Sequence, residues 1–169
     1  MKYKLIEDVL EKNSFDELKN IWQEGSNIPW FYNSNTIPGK DSEFIFTHHL
    51  YRDNQVSSNF YESISEIIFN VSSHTKKNKL LRVKANMYTN QGEKKYHAKH
   101  TDYKDIGEFT TAVYNFTTCN GGTVLFLNNK EILIPSIENS LLIFDGNITH
   151  QGFTQTDTTN RVLLNIDFV

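Results

Sequence analysis

Three side chains define the chemistry open to this sequence: His100, Asp102 and His150. His100-x-Asp102 closes the segment Tyr96-His-Ala-Lys-His-Thr-Asp102. Two residues one apart on a strand or bulge share a face, so an imidazole nitrogen and a carboxylate oxygen are offered to one ion. His-x-Asp is common by chance and gains meaning only with a third donor. His150 supplies it, following a strand-like run and the turn Phe144-Asp-Gly-Asn147. Two imidazoles and one carboxylate form the facial set that suits iron(II) and leaves three positions for a chelating small molecule and O₂. Arg161 opens the last strand-like run after His150. Its guanidinium fork can bind a carboxylate through two parallel hydrogen bonds. Facing an apolar interior without such a partner, it would be a costly buried charge.

The other histidines carry less. His48 and His49 end a predicted strand and face opposite sides, which suits packing or surface roles. His74 ends a polar helix tail. His97 is close enough to His100 to form an alternative pair, and is read as a rim residue that touches substrate.

The elements that must position these groups follow from hydrophobic spacing. Ser14-Phe-Asp-Glu17 reads as a capping box, with Phe15, Leu18, Ile21 and Trp22 on one helical face and Gly25 as the stop. Residues 27–40 read as an irregular loop carrying Trp30, Phe31 and Tyr32, a candidate lid over the pocket, with Trp30 either contacting substrate or packing on the barrel. Glu43–Thr47 reads as a strand. From Ser58 onward, Phe60, Ile64, Ile67, Ile68 and Val71 mark a second helix. Beyond Lys79 the texture is β, in runs 80–88, 109–117, 123–127, 131–135, 140–144 and 161–169, separated by turn clusters such as Asn120-Gly-Gly122. Helices first and short strands after predict a mainly β chain, a small antiparallel barrel or jelly roll supported by N-terminal helices. The expected organisation is one domain over 1–169, with a helical buttress over about 1–78 and a jelly-roll core over about 79–169.

Composition narrows the function classes. With 169 residues, 38% hydrophobic and 22% charged, the chain has the make-up of an ordinary globular protein. Its apolar runs are far shorter than the roughly 20 residues of a membrane span. The N-terminus lacks an apolar signal core, and the single Cys119 rules out an intrachain disulfide, so a cytoplasmic setting is expected. No glycine-rich phosphate loop is present. Residues 76–104 hold nine Lys/Arg against Glu93 and Asp102, a local charge of +7 within a chain whose net charge is −3. Such a window is a solvated face or a basic rim favouring an anionic partner.

The order His-x-Asp, distal His, Arg on a helix-then-strand chain resembles the 2-oxoglutarate/iron(II) dioxygenase superfamily, on its prolyl-4-hydroxylase-like side. The phrases Ile28-Pro-Trp-Phe-Tyr32, Arg82-Val-Lys-Ala-Asn86, His100-Thr-Asp102, Thr111-Ala-Val-Tyr114, Gly121-Gly-Thr123, Phe144-Asp-Gly146 and Arg161-Val-Leu-Leu-Asn165 resemble small single-domain members common in phage genomes. The resemblance covers roughly residues 28–169 and implies a double-stranded β-helix. It implies Fe(II) on His100, Asp102 and His150, and 2-oxoglutarate with its 5-carboxylate on Arg161. Tyr88 lies where prolyl hydroxylases often place a tyrosine on that carboxylate. Asn115 departs from the pattern, since many relatives carry a second tyrosine there; it is kept as a substrate-side candidate. Alternation on the last strand sets Asn165 on the face of Arg161, a further cosubstrate candidate. The implied reaction hydroxylates a peptidyl, prolyl-like or amino-acid substrate with O₂, giving succinate and CO₂. The alternatives are a nucleic-acid or small-molecule oxidising member, the same fold with Zn or Mn, and a non-catalytic jelly roll that binds a ligand.

Overall fold

The computed structural model describes residues 2–25, 27–75 and 77–169. After β1 (Tyr3–Ile6), helix α1 (Lys12–Lys19) runs on into a π-helical turn, Asn20–Glu24. Phe15, Leu18 and Trp22 are buried at i, i+3 and i+7, one stripe facing the interior. The capping box at Ser14 does not form. The helix starts at Lys12 after Glu11, because Leu10 is already clamped by both backbone groups to the Asn139 side chain. Gly25 ends the turn in an extended conformation, as expected. A 3₁₀ turn, Glu62–Ile64, leads into α2 (Ser65–Thr75), where Ile64, Ile67 and Val71 are fully buried. Burying each such side chain contributes about 1.5–3 kcal/mol.

The strands are β2 (Phe31–Asn33), β3 (Ile45–Arg52), β4 (Gln55–Val56), β5 (Leu80–Thr89), β6 (Thr110–Asn115), β7 (Cys119–Leu127), β8 (Lys130–Ser136), β9 (Ser140–Asp145), β10 (His150–Phe153) and β11 (Asn160–Phe168). The larger sheet runs β1-β9-β6-β11-β5-β3-β2 with β4 beside β3, and the smaller runs β10-β7-β8. Every pairing is antiparallel. The expected helical buttress over 1–78 therefore needs correction. Four strands lie in that range: β3 matches the strand read at Glu43–Thr47, whereas β1, β2 and β4 form by backbone pairing with strands that local spacing does not reveal.

The larger sheet divides two cores. On one face, Val83, Ala85, Ala112, Tyr114, Phe116, Val162, Leu164 and Ile166 pack against the helices around Trp22. On the other, Ile45, Tyr88, Val113, Leu142, Phe144 and Leu163 meet Leu125 and Ile134 of the smaller sheet. On β11 the alternation is complete, with Arg161, Leu163, Asn165 and Asp167 facing the smaller sheet. Two antiparallel sheets closed over an inner core are the jelly roll, or double-stranded β-helix, that the strand pattern predicts.

Candidate active site

Backbone pairing brings the two histidines together. His100 and His150 face each other in a two-residue antiparallel bridge, each N–H donating to the other's carbonyl at 2.9 Å. Directly opposed residues point the same way, and the ring centroids lie 4.4 Å apart. Each Nδ1 sits against a carbonyl, Ala98 O at 3.0 Å for His100 and Ile148 O at 3.1 Å for His150. A tautomer with Nδ1–H donating there leaves Nε2 free to ligate a metal ion. Burial, then the neighbouring His150, pushes the His100 imidazole down to about 4, so it is neutral and ready to ligate.

Asp102 completes the set. One donor atom from each of His100, Asp102 and His150 lies within 4.8 Å of the others, which suits one ion with bonds of about 2.0–2.2 Å. Its Oδ2 is 3.5 Å from His150 Nε2, while its Oδ1 takes Arg82 Nη2 at 2.5 Å. The same Nη2 reaches Asp167 Oδ2 at 2.8 Å and Asn165 Oδ1 at 2.7 Å. Burial opposes ionisation of Asp102, but Arg82 and the two imidazoles outweigh it and hold the carboxyl well below its usual range. Asp167 goes the other way, up to about 7, through burial and then the charge of Asp102.

Arg161 marks the far end. It is 1% exposed, yet among the described residues no carboxylate meets it. Nη1 donates to Gly122 O at 3.0 Å and Phe153 O at 3.3 Å, and Nη2 to Asn115 Oδ1 at 3.3 Å. Its Nε has no partner. Tyr88, its neighbour across β5–β11, lies with its ring 5.7 Å from the guanidinium carbon. Gly122 is required here, because a Cβ at that position would run into Ile134 O and the Phe153 ring. Nothing larger lets β7 approach closely enough to place its carbonyl on Arg161.

A cavity of about 190 Å³ joins the two ends. It is lined by His100, Asp102 and His150 together with Arg161, Tyr88, Asn165 and His97, all singled out in the sequence. His97 is not at the rim as expected. It is 4% exposed and stacks on Tyr88 at 4.9 Å, because its backbone pairs with Gly152 and turns the ring inward. Asn165 faces the cavity, but at the Arg82 end, four residues along β11 from Arg161. Asn115 is behind Arg161, held by Ser136 and Ser140, and does not line the cavity. Trp30 is also absent from the lining; it packs edge-on to Trp22 on the helix side of the sheet. The part of its loop that does line the cavity is Thr36, Ile37 and Pro38. Asp41 fastens that loop by accepting from the Thr36 and Ala98 backbone N–H groups. Sequence reasoning placed Thr36, Ile37 and Pro38 in the loop 27–40 but looked to Trp30–Tyr32 for the lid, and it missed Arg82, Lys84, Asn86 and Thr123 of the lining. Alternation along β5 would have found three of them.

No protein-family model matches the chain, and no curated protein matches it. Solved structures do. An oxidoreductase of the 2OG-Fe(II) oxygenase family from Burkholderia pseudomallei superposes with a TM-score of 0.73 at 10% identity, over 98% of this chain and 84% of that one. A Trichoplax adhaerens prolyl hydroxylase, solved with a hypoxia inducible factor oxygen degradation domain peptide fragment, gives 0.73 at 15% identity, over 98% and 82%. A viral collagen prolyl hydroxylase from Paramecium Bursaria Chlorella virus-1, in its 2OG complex, gives 0.62 at 15%, over 100% and 97%. This chain has the 2-oxoglutarate/iron(II) oxygenase fold.

Within that oxygenase fold, the donor chemistry fits the groups such enzymes use. Two imidazoles and one carboxylate suit iron(II). The buried guanidinium with an unpartnered Nε and only neutral acceptors suits the free carboxylate of a small diacid. Among the described residues, no helix is long and apolar enough to cross a membrane.

Proposed function

We propose that this protein is an iron(II)- and 2-oxoglutarate-dependent dioxygenase that hydroxylates a peptidyl, prolyl-like or amino-acid substrate, with residues 1–169 acting as one catalytic domain. The observation that carries the reading is the pairing, across one small cavity, of the His100–Asp102–His150 donor set with a buried Arg161 that lacks an anion. His100, Asp102 and His150 would hold iron(II), which would supply a site for 2-oxoglutarate chelation and O₂ activation, coupling conversion of 2-oxoglutarate to succinate and CO₂ with oxidation of the substrate.

The protein's own groups do the rest. Arg161 binds the far carboxylate through Nε and its Nη edge, while Asn115, Gly122 and Phe153 fix the plane of the fork. The Tyr88 hydroxyl, held protonated because burial pushes it up to about 12, is a hydrogen-bond donor beside that site. Thr123 adds a second hydroxyl on the lining. Arg82 keeps Asp102 ionised and turned toward the histidines. The loop at Thr36–Pro38, pinned through Asp41, completes the cavity wall.

The test is succinate release from 2-oxoglutarate in the presence of proline-containing peptides, free amino acids and methylated oligonucleotides. The oligonucleotides are included because of the lysine-rich window at 76–104. At least one group is expected to stimulate turnover in the wild type, and His150→Ala or Arg161→Ala to abolish it. Unchanged turnover in either variant overturns the assignment.

A further inference from the structure

Charge balance leaves one cation of the cavity without a counterpart. In the oxygenase reading, Asp102 and the near carboxylate of 2-oxoglutarate neutralise a divalent ion, and Arg161 meets the far carboxylate. Arg82 is matched by Asp167 at 2.8 Å. Lys84 remains. It lies on the cavity face of β5, with His49 of β3 and Asn165 of β11 directly across on either side. Among the described residues nothing hydrogen-bonds or ion-pairs with it, and Asp102 and Asp167 act on it only through space. Two further polar atoms in the same neighbourhood are buried without partners, His49 Nδ1 and Asn86 Oδ1.

Position decides what this group can bind. Arg161 pairs with Tyr88 across β11–β5, and Asn165 pairs with Lys84. Four residues of strand separate the two cations, roughly 13 Å at about 3.3 Å per residue. A five-carbon diacid anchored on Arg161 and reaching the triad leaves Lys84 beyond its near end. A half-buried ammonium with no counter-ion is unfavourable, and an arriving anion relieves it. The cavity, about 190 Å³, is smaller than the roughly 300–1,000 Å³ of drug-sized ligand sites. Only a small molecule or one inserted side chain fits beside the cosubstrate.

We propose that Lys84 anchors the substrate by binding a carboxylate on it, at the metal end of the cavity opposite Arg161. The proposal rests on the oxygenase reading above. The carboxylate belongs either to a free amino acid or to an Asp or Glu side chain of a peptide, and both present the same group to Lys84.

Calorimetric titration of the protein loaded with Mn(II) and 2-oxoglutarate separates these sources. One arm compares free L-amino acids with their carboxamides. The other compares acetylated N-methylamides of Asp and Glu with those of Asn and Gln. In at least one arm the acid is expected to bind about ten- to hundredfold tighter than its amide, with the preference lost in Lys84→Met and kept in Lys84→Arg. In parallel, mass spectrometry follows acetylation of Lys84 by acetic anhydride, which the bound acid should slow and the amide should not. The proposal is overturned if no acid outbinds its amide, if Lys84→Met keeps the preference, or if 2-oxoglutarate alone already shields Lys84. Failure of 2-oxoglutarate itself to bind, read before any probe is added, would instead sink the oxygenase reading.

Discussion

Arg82 holds Asp102 by one oxygen and leaves the other facing His150. Nη2 takes Oδ1 at 2.5 Å, and Oδ2 stands 3.5 Å from His150 Nε2. The carboxylate is thereby oriented before any ion arrives, and its charge is maintained despite burial.

Removing that hold should weaken the metal site without deleting a ligand. Arg82→Met is expected to lower Mn(II) affinity about 10–100-fold, the usual effect of losing a group that orients a ligand. Arg82 also balances Asp167, so the variant should be checked for folding by circular dichroism. A well-folded variant with wild-type metal affinity would show that Asp102 needs no such support.

Asn115 should matter through Arg161. Its Oδ1 accepts from Arg161 Nη2, so Asn115→Leu leaves that buried donor unpaired, while Ser136 keeps Thr117 O as its acceptor. The expected cost is about 1–3 kcal/mol of stability, with a Tm lower by about 2–4 °C per kcal/mol. Weaker binding of 2-oxoglutarate should accompany it. Normal cosubstrate affinity in a destabilised variant would confine Asn115 to packing.

The site was legible in the sequence where short-range rules suffice. His-x-Asp spacing, and alternation from Arg161 to Asp167, placed their side chains on one face without knowledge of the partners. The same arithmetic applied to β5 puts Arg82, Lys84, Asn86 and Tyr88 together, yet only Tyr88 was singled out, since lysine and arginine in a basic window read as solvated surface. What local rules could not supply was pairing at a distance. β1 is four residues long and joins β9 across the chain. β10 exists because His150–Phe153 pairs with Gly122–Leu125. Of the two uses open to Trp30, lid or packing, only the packed structure selects packing, by showing that Trp22 receives it.

Gly122 tests how closely β7 must approach. Gly122→Ala drives a methyl group into the Ile134 carbonyl and the Phe153 ring, and overpacking of this kind costs about 1–3 kcal/mol. Because Gly122 O also accepts from Arg161, 2-oxoglutarate binding should fall along with Tm. A variant as stable as wild type would mean that the β7–β8 pair yields freely.

The metal-free protein should lose stability in mild acid, in part through His97. Burial, then the charge of Arg161, pushes its imidazole down from 6.5 to about 4. Below about 6.5 the unfolded chain takes up a proton that the folded one accepts only near 4. The His97 contribution is therefore complete above that window and is lost as pH falls through it. Asp167, pushed up to about 7, acts in the opposite sense, since its folded form holds the proton more tightly. Comparison with His97→Phe, which keeps an aromatic ring against Tyr88, isolates the histidine. Between pH 7 and 4.5 the wild-type Tm should fall more steeply than that of the variant. Parallel curves would contradict the shift.

The central claim is that one cavity holds an iron ion on His100, Asp102 and His150 and a diacid on Arg161. Anaerobic titration of the protein with Fe(II) and then 2-oxoglutarate tests it most directly, because the chelate gives a visible charge-transfer band. The account predicts a band that saturates at one iron and one 2-oxoglutarate per chain, is absent in His150→Ala, and needs far more 2-oxoglutarate in Arg161→Ala. An iron-loaded wild-type protein that develops no band, or a band indifferent to both substitutions, would contradict it.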